Sequence, residues 1–123
     1  MTPDSPVIAI IDDELDVRSA MAALAVSHGY AIELYASGER FLAHAAQSAA
    51  ACLILDVQLG GMSGIALARQ LSDLGFLFPI VFVTGCGDET LRTQAAQLNF
   101  VAYLQKPVSA NLLMAAIALA LDP

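Results

Sequence analysis

A chain of 123 residues, 58% hydrophobic and 14% charged, has enough apolar material for one well-filled domain and excludes a disordered or acidic solvating chain. The formal net charge of −7, with five Lys and Arg in all, leaves little from which to build the basic patch that nucleic acid or an anionic membrane surface requires. The longest apolar stretches, Ala43 to Leu55 and Leu112 to Leu121, fall short of the ~18–20 residues of a membrane helix, and Met1 to Pro6 does not read as a secretory signal. Cys52 and Cys86 have neither the spacing nor the context of a disulfide or zinc site, so the expected location is the cytoplasm.

In chain order, Val7 to Ile11 is an unbroken apolar run of strand length that stops at Asp12, Asp13 and Glu14. Leu15 to His28 carries Val17, Met21, Leu24 and Ala25 at helical spacing, with Gly29 placed to end it. Ala31 to Tyr35 reads as a second strand, and Ser37 as the N-cap of a helix through Phe41, Leu42 and Ala45 to about Ala50. A third apolar strand, Cys52 to Leu55, is again closed by an acid, Asp56. The loop Leu59-Gly60-Gly61-Met62 leads to Ser63, the cap of a helix that fades near Asp73 and Gly75. Ile80 to Val83 forms a fourth strand ending in Thr84, and Asp88 caps a helix to about Leu98. Val101 to Leu104 is a fifth strand, followed by Gln105, Lys106 and Pro107, and Ser109 caps a last helix to Leu121.

Strands that alternate with helices of this length imply βαβ units, hence an α/β fold with a parallel sheet covered on both faces. Right-handed crossovers reduce the topology to a few doubly wound arrangements. All strand ends then lie on one edge, where such folds place their sites. That edge gathers Asp12, Asp13, Asp56, Thr84 and Lys106. Crowded carboxylates repel and raise one another's pKa, and a hard divalent cation such as Mg²⁺ resolves the conflict through oxygen ligands. An ammonium and a hydroxyl beside it suit phosphoryl oxygens, and an aspartate there can act as nucleophile and form an acyl phosphate.

The stretches Ile10-Ile11-Asp12-Asp13-Glu14, Leu53-Ile54-Leu55-Asp56-Val57, Gly61-Met62-Ser63-Gly64, Val83-Thr84-Gly85 and Tyr103-Leu104-Gln105-Lys106-Pro107 resemble the response-regulator receiver family of two-component systems. The likeness covers essentially the whole chain, and Thr84-Gly85-Cys86-Gly87-Asp88 looks most like the nitrogen-fixation regulators. The resemblance implies a flavodoxin-like, five-stranded parallel sheet of order 2-1-3-4-5 and a single receiver domain over residues 1–123, either free-standing or the N-terminal part of a longer regulator. It implies that Asp56 is phosphorylated from a sensor histidine kinase or phosphotransfer protein. Asp13 and Asp56 would bind Mg²⁺ directly with the Gln58 backbone carbonyl, and Asp12 through water. Thr84 and Tyr103 would form the switch pair, and Lys106, ahead of a cis Pro107, would contact the phosphoryl group. Such a domain catalyses only its own phosphorylation and slow dephosphorylation, and its output surface would be the fourth helix, fifth strand and fifth helix.

Some positions depart from the family pattern. Gly60 stands where proline is usual, which would loosen the loop after Asp56. Asn99-Phe100 replaces Gly-Ala before the fifth strand, with Asn able to take left-handed geometry. Cys86 takes a position often polar in relatives and reads as inert rather than redox-sensing. His28 and His44 read as solvated, without metal-ligand spacing. The last helix is apolar on more than one face, through Leu112, Leu113, Met114, Ile117, Leu119 and Leu121, which is either tolerated surface or a contact for a second copy or output domain. Two other functions compete. A Mg²⁺-dependent phosphohydrolase would need a second acid at position 58, where the chain has Gln58, and a degenerate receiver would lack part of the acidic and Lys set, which is complete here.

Overall fold

Five parallel strands in the order β2-β1-β3-β4-β5 form the centre of the computed structural model, which describes residues 4–85 and 87–122. Cys86 and the first residues of the N-terminal stretch lie outside the described residues. The strands are β1 (Val7–Ile11), β2 (Ala31–Tyr35), β3 (Ala50–Asp56), β4 (Ile80–Thr84) and β5 (Ala102–Gln105). The helices are α1 (Leu15–Ser27), α2 (Gly38–His44), α3 (Gly64–Asp73), α4 (Glu89–Ala96) and α5 (Ala110–Leu121). The expected fold class and strand order are both present.

The strands are apolar throughout because both faces of the sheet are covered, and their alternation divides the core in two. Ala9, Ile11, Leu53, Leu55 and Phe82 point to the side of α2, α3 and α4, where Phe41, Leu67 and Leu71 meet them. Ile8, Ile10, Cys52, Ile54, Val81 and Val83 point to α1 and α5, against Met21, Ala22, Leu113, Ala116 and Ile117. The Val, Leu, Ile, Phe and Met side chains among them each contribute about 1.5–3 kcal/mol of transfer free energy when fully buried. Burial also pushes the Cys52 thiol up to about 12, which fits an inert core cysteine.

Four helices begin where a side-chain oxygen takes an otherwise unpaired N–H. Ser37 accepts from Arg40, Ser63 from Ala66, Asp88 from Thr90 and Ser109 from Leu112. Gly29 follows α1 at φ +89°, the left-handed end that glycine allows.

The second helix stops at His44, well before the expected end near Ala50. No residue there breaks a helix; Glu33 on β2 captures the chain instead, accepting from Ser48 Oγ at 2.7 Å and from the Ala49 N–H at 3.1 Å. Ala50 and Ala51 are thereby released to lengthen β3. The ends of α1, α4 and β5 differ from expectation by one or two residues, as fraying termini do. Asn99 does not use left-handed geometry, since no non-glycine among the described residues has positive φ. Lys106–Pro107 is cis, as expected.

Candidate functional site

Each site residue is delivered by a strand end. β1 ends one residue before Asp12, which is fully buried, and the Asp12 N–H bonds the Tyr35 carbonyl of β2 at 3.2 Å. The Asp12 carboxylate accepts the Glu14 N–H at 2.9 Å, and Arg18 Nη1 donates to its carbonyl at 2.8 Å, which turns the chain into α1. β3 carries Asp56 as its last residue, 3% exposed, with Oδ1 accepting the Gln58 N–H at 3.0 Å. The Val57 N–H bonds the Val83 carbonyl at 2.9 Å, and the Lys106 N–H bonds the Thr84 carbonyl at 2.7 Å, so the ends of β3, β4 and β5 are locked side by side.

The geometry brings together most of the expected set. Lys106 Nζ lies 3.0 Å from Asp12 Oδ2, 3.1 Å from Asp56 Oδ2 and 3.2 Å from Glu14 Oε1. One carboxylate oxygen from each of Asp12, Asp13, Glu14 and Asp56 falls in a group within 4.8 Å of one another. Asp13 is exposed, and its Oδ2 accepts the Gly60 N–H from the β3–α3 loop at 3.1 Å. Thr84 is buried on the adjacent strand end. Tyr103 stands farther off, on β5, packed against Phe82 and Phe100 with the Arg92 guanidinium 5.1 Å from its ring centre. A cavity of about 290 Å³ lies between them, lined by Thr84, Asp88, Arg92, Tyr103 and Gln105 among others.

Glu14, to which the sequence assigns no role, also joins the cluster. Its position in the acidic run after β1 was the available signal, but its reach to Lys106 depends on how α1 leaves the sheet.

Electrostatics follow from burial and charge. Desolvation pushes the Asp56 carboxyl above the usual carboxylate range; hydrogen bonds from the Gln58 N–H and Lys106 oppose this, and the Asp12 charge adds to it. Burial alone would lower the Lys106 pKa, but hydrogen bonds to Asp12 and Asp56 outweigh it and hold the ammonium well above the usual lysine range. The donor set suits a hard divalent cation: four carboxylates each offer an oxygen within reach of the others, and one ammonium faces three of them.

This combination, a doubly wound parallel sheet with an acidic cluster and one lysine at its carboxyl edge, defines a class. The chain belongs to the response regulator receiver domain family, whose profile matches residues 8–118. Members act in two-component signalling, and their general function is to be phosphorylated on an aspartate. Among its relatives, the response regulator protein TodT of Pseudomonas putida is 38% identical over 121 residues, which are 98% of this chain and 53% of TodT. The transcriptional regulatory protein FixJ of Rhizobium meliloti is 33% identical over 110 residues, 89% of this chain and 54% of FixJ. The chain thus spans about half the length of the curated relatives it matches. The crystal structure of FixJ-N matches with a TM-score of 0.89 at 31% identity, covering 97% of this chain and 95% of that one. Such domains are not classical metabolic enzymes.

Proposed function

We propose that Asp56 is the phosphoacceptor, and that Asp12, Asp13, Asp56 and the Gln58 backbone carbonyl hold the Mg²⁺ that assists the transfer. The observation that carries this reading is the Asp56 carboxylate itself, 3% exposed at a strand end and yet 3.1 Å from the Lys106 ammonium. Bound there, Mg²⁺ would offset the charge of the transferring phosphoryl oxygens. An Asp56 oxygen attacks the phosphorus of a phosphohistidine on a sensor kinase or phosphotransfer protein. The P–N bond breaks with its electron pair going to the imidazole nitrogen, and an acyl phosphate remains on Asp56. Lys106 then exchanges its contact with the Asp56 carboxylate for a phosphoryl oxygen, and the Thr84 hydroxyl donates to another. Self-phosphorylation and slow hydrolysis of the acyl phosphate are the only reactions we assign.

Movement of Thr84 toward the phosphoryl group draws Tyr103 inward and reshapes the surface of α4, β5 and α5. On α5, Leu113, Ala116 and Ile117 are core, while Leu112 and Leu119 are 59% and 63% exposed. Those two leucines support a contact face for a second copy or an output domain. We read residues 1–123 as one receiver domain, matching about half the length of the curated relatives. We place it in the cytoplasm, where such kinases present their phosphohistidine; among the described residues no helix is long and apolar enough to cross a membrane.

Incubation with Mg²⁺ and acetyl phosphate should add one phosphoryl mass that is labile to base, and Asp56→Asn should abolish it while the fold survives. Phosphate on a Ser, Thr or His, or full labelling of Asp56→Asn, would contradict the assignment.

A further inference from the structure

The loop joining β3 to α3 makes one bond that phosphotransfer chemistry does not itself require. The Gly60 N–H donates to Asp13 Oδ2 at 3.1 Å, linking positions 47 residues apart. The loop is held on its other side by α2. The Met62 N–H donates to Glu39 Oε2 at 3.1 Å, and Gly61 turns the chain at φ +73° so close to Glu39 that a Cβ there would overlap its carboxylate. The Gly60 N–H is therefore aimed at Asp13 by a braced loop.

Asp13 needs such a partner more than its neighbours do. Asp12 and Asp56 are buried and hydrogen-bonded within their own turns, to the Glu14 and Gln58 N–H groups. Asp13 is exposed, and an exposed side chain must lose rotamer freedom before it can ligate. A carboxylate has about four lone-pair directions, so one bond to an N–H leaves oxygen valence for a cation. We infer that the backbone N–H of Gly60 positions the Asp13 carboxylate for the divalent cation, so that residue 60 sets the affinity of the site without touching the metal. This rests on the reading of Asp13 as a ligand.

Two substitutions separate the N–H from glycine's flexibility. Alanine keeps the donor, its Cβ would sit 3.7 Å from Asp13 Oδ2 in ordinary contact, and Gly60 is not among the glycines of positive φ. Proline removes the donor. Titration of the 123-residue chain with Mn²⁺, followed by electron paramagnetic resonance, should give Gly60→Ala an affinity within about twofold of wild type, and Gly60→Pro a Kd about three- to tenfold higher, the scale of one hydrogen bond. An unchanged Kd for Gly60→Pro, or an equal loss in Gly60→Ala, overturns the inference.

Should Gly60→Pro fail to fold, exchange of the Gly60 amide in wild type decides the matter. It should be slow, remain slow when Mg²⁺ saturates the site, and become fast in Asp13→Ala. Exchange that accelerates on adding Mg²⁺ would show the N–H competing with the cation, and would overturn the positioning role. Asp13→Ala binding Mn²⁺ as tightly as wild type would instead refute the metal reading beneath it.

Discussion

Asp56 is held between opposing pressures, with burial and the Asp12 charge favouring its neutral form while Lys106 and the Gln58 N–H favour the carboxylate. Because the balance raises its pKa in the fold, the stabilising contribution is complete below the unfolded value near 3.8 and is lost as pH rises through the folded value. At neutral pH an ionised Asp56 is thus a cost to stability. Asp56→Asn should melt a few degrees higher than wild type at pH 7 without added metal, the scale that about 1 kcal/mol produces in a domain of this size. The gap should close toward pH 4. A difference that does not change between those limits would show that the Asp56 charge is not its source. At this scale Asp12, Asp13, Asp56, Thr84 and Lys106 were legible in the sequence because they sit at or just beyond the ends of apolar runs. Glu14 and Gly60 were not, since their partners Lys106 and Asp13 are brought to them only by the packing of different loops. Glycine at position 60, where the family usually has proline, also supplies a donor that proline lacks.

Local signals served the elements well wherever one side chain decides the matter. The four caps at Ser37, Ser63, Asp88 and Ser109 each act within two or three residues of themselves. The end of α2 was hidden because Glu33, on a strand more than ten residues earlier, fixes it. Gly64 joins two elements: a Cβ there would overlap the Asp56 carbonyl oxygen, and its N–H bonds the Val57 carbonyl at 3.0 Å. Gly64→Ala must displace backbone beside the acceptor, so it should destabilise by about 1–3 kcal/mol or more in a denaturant melt. A fully stable variant that still accepts phosphate would mean that α3 can shift without cost. On α5 the two leucines at 112 and 113 behave oppositely. Leu113 is 2% exposed and Leu112 is 59% exposed. Leu113→Ala should cost about 2–5 kcal/mol, whereas Leu112→Glu should change stability by no more than about 0.5 kcal/mol. If the α5 face is a contact, the phosphoryl mimic beryllofluoride with Mg²⁺ should promote self-association, and its loss in Leu112→Glu, read by light scattering, then reports on the surface rather than the core. Equal melts for Leu113→Ala and Leu112→Glu would refute this division of the helix.

Across the whole molecule, the sheet separates two apolar layers and gathers its polar chemistry at one edge. That edge has an imbalance: four carboxylates cluster there and the Lys106 ammonium pairs with three of them, in a chain of net charge −7. A phosphoryl donor is itself an anion, so it meets a repulsive field well before any contact forms. Encounter frequency is then set by how far that field reaches, about 30 Å at 10 mM salt and about 8 Å at 150 mM. With Mg²⁺ kept saturating, phosphorylation by acetyl phosphate should quicken severalfold over that range, as stopped samples analysed by mass would show. A donor protein that docks a basic surface against this edge should slow over the same range. A common response from both donors would mean that the long-range field does not govern access. The acidic edge would thus act as a kinetic filter, penalising small diffusing phosphates relative to a partner that brings its own positive charge.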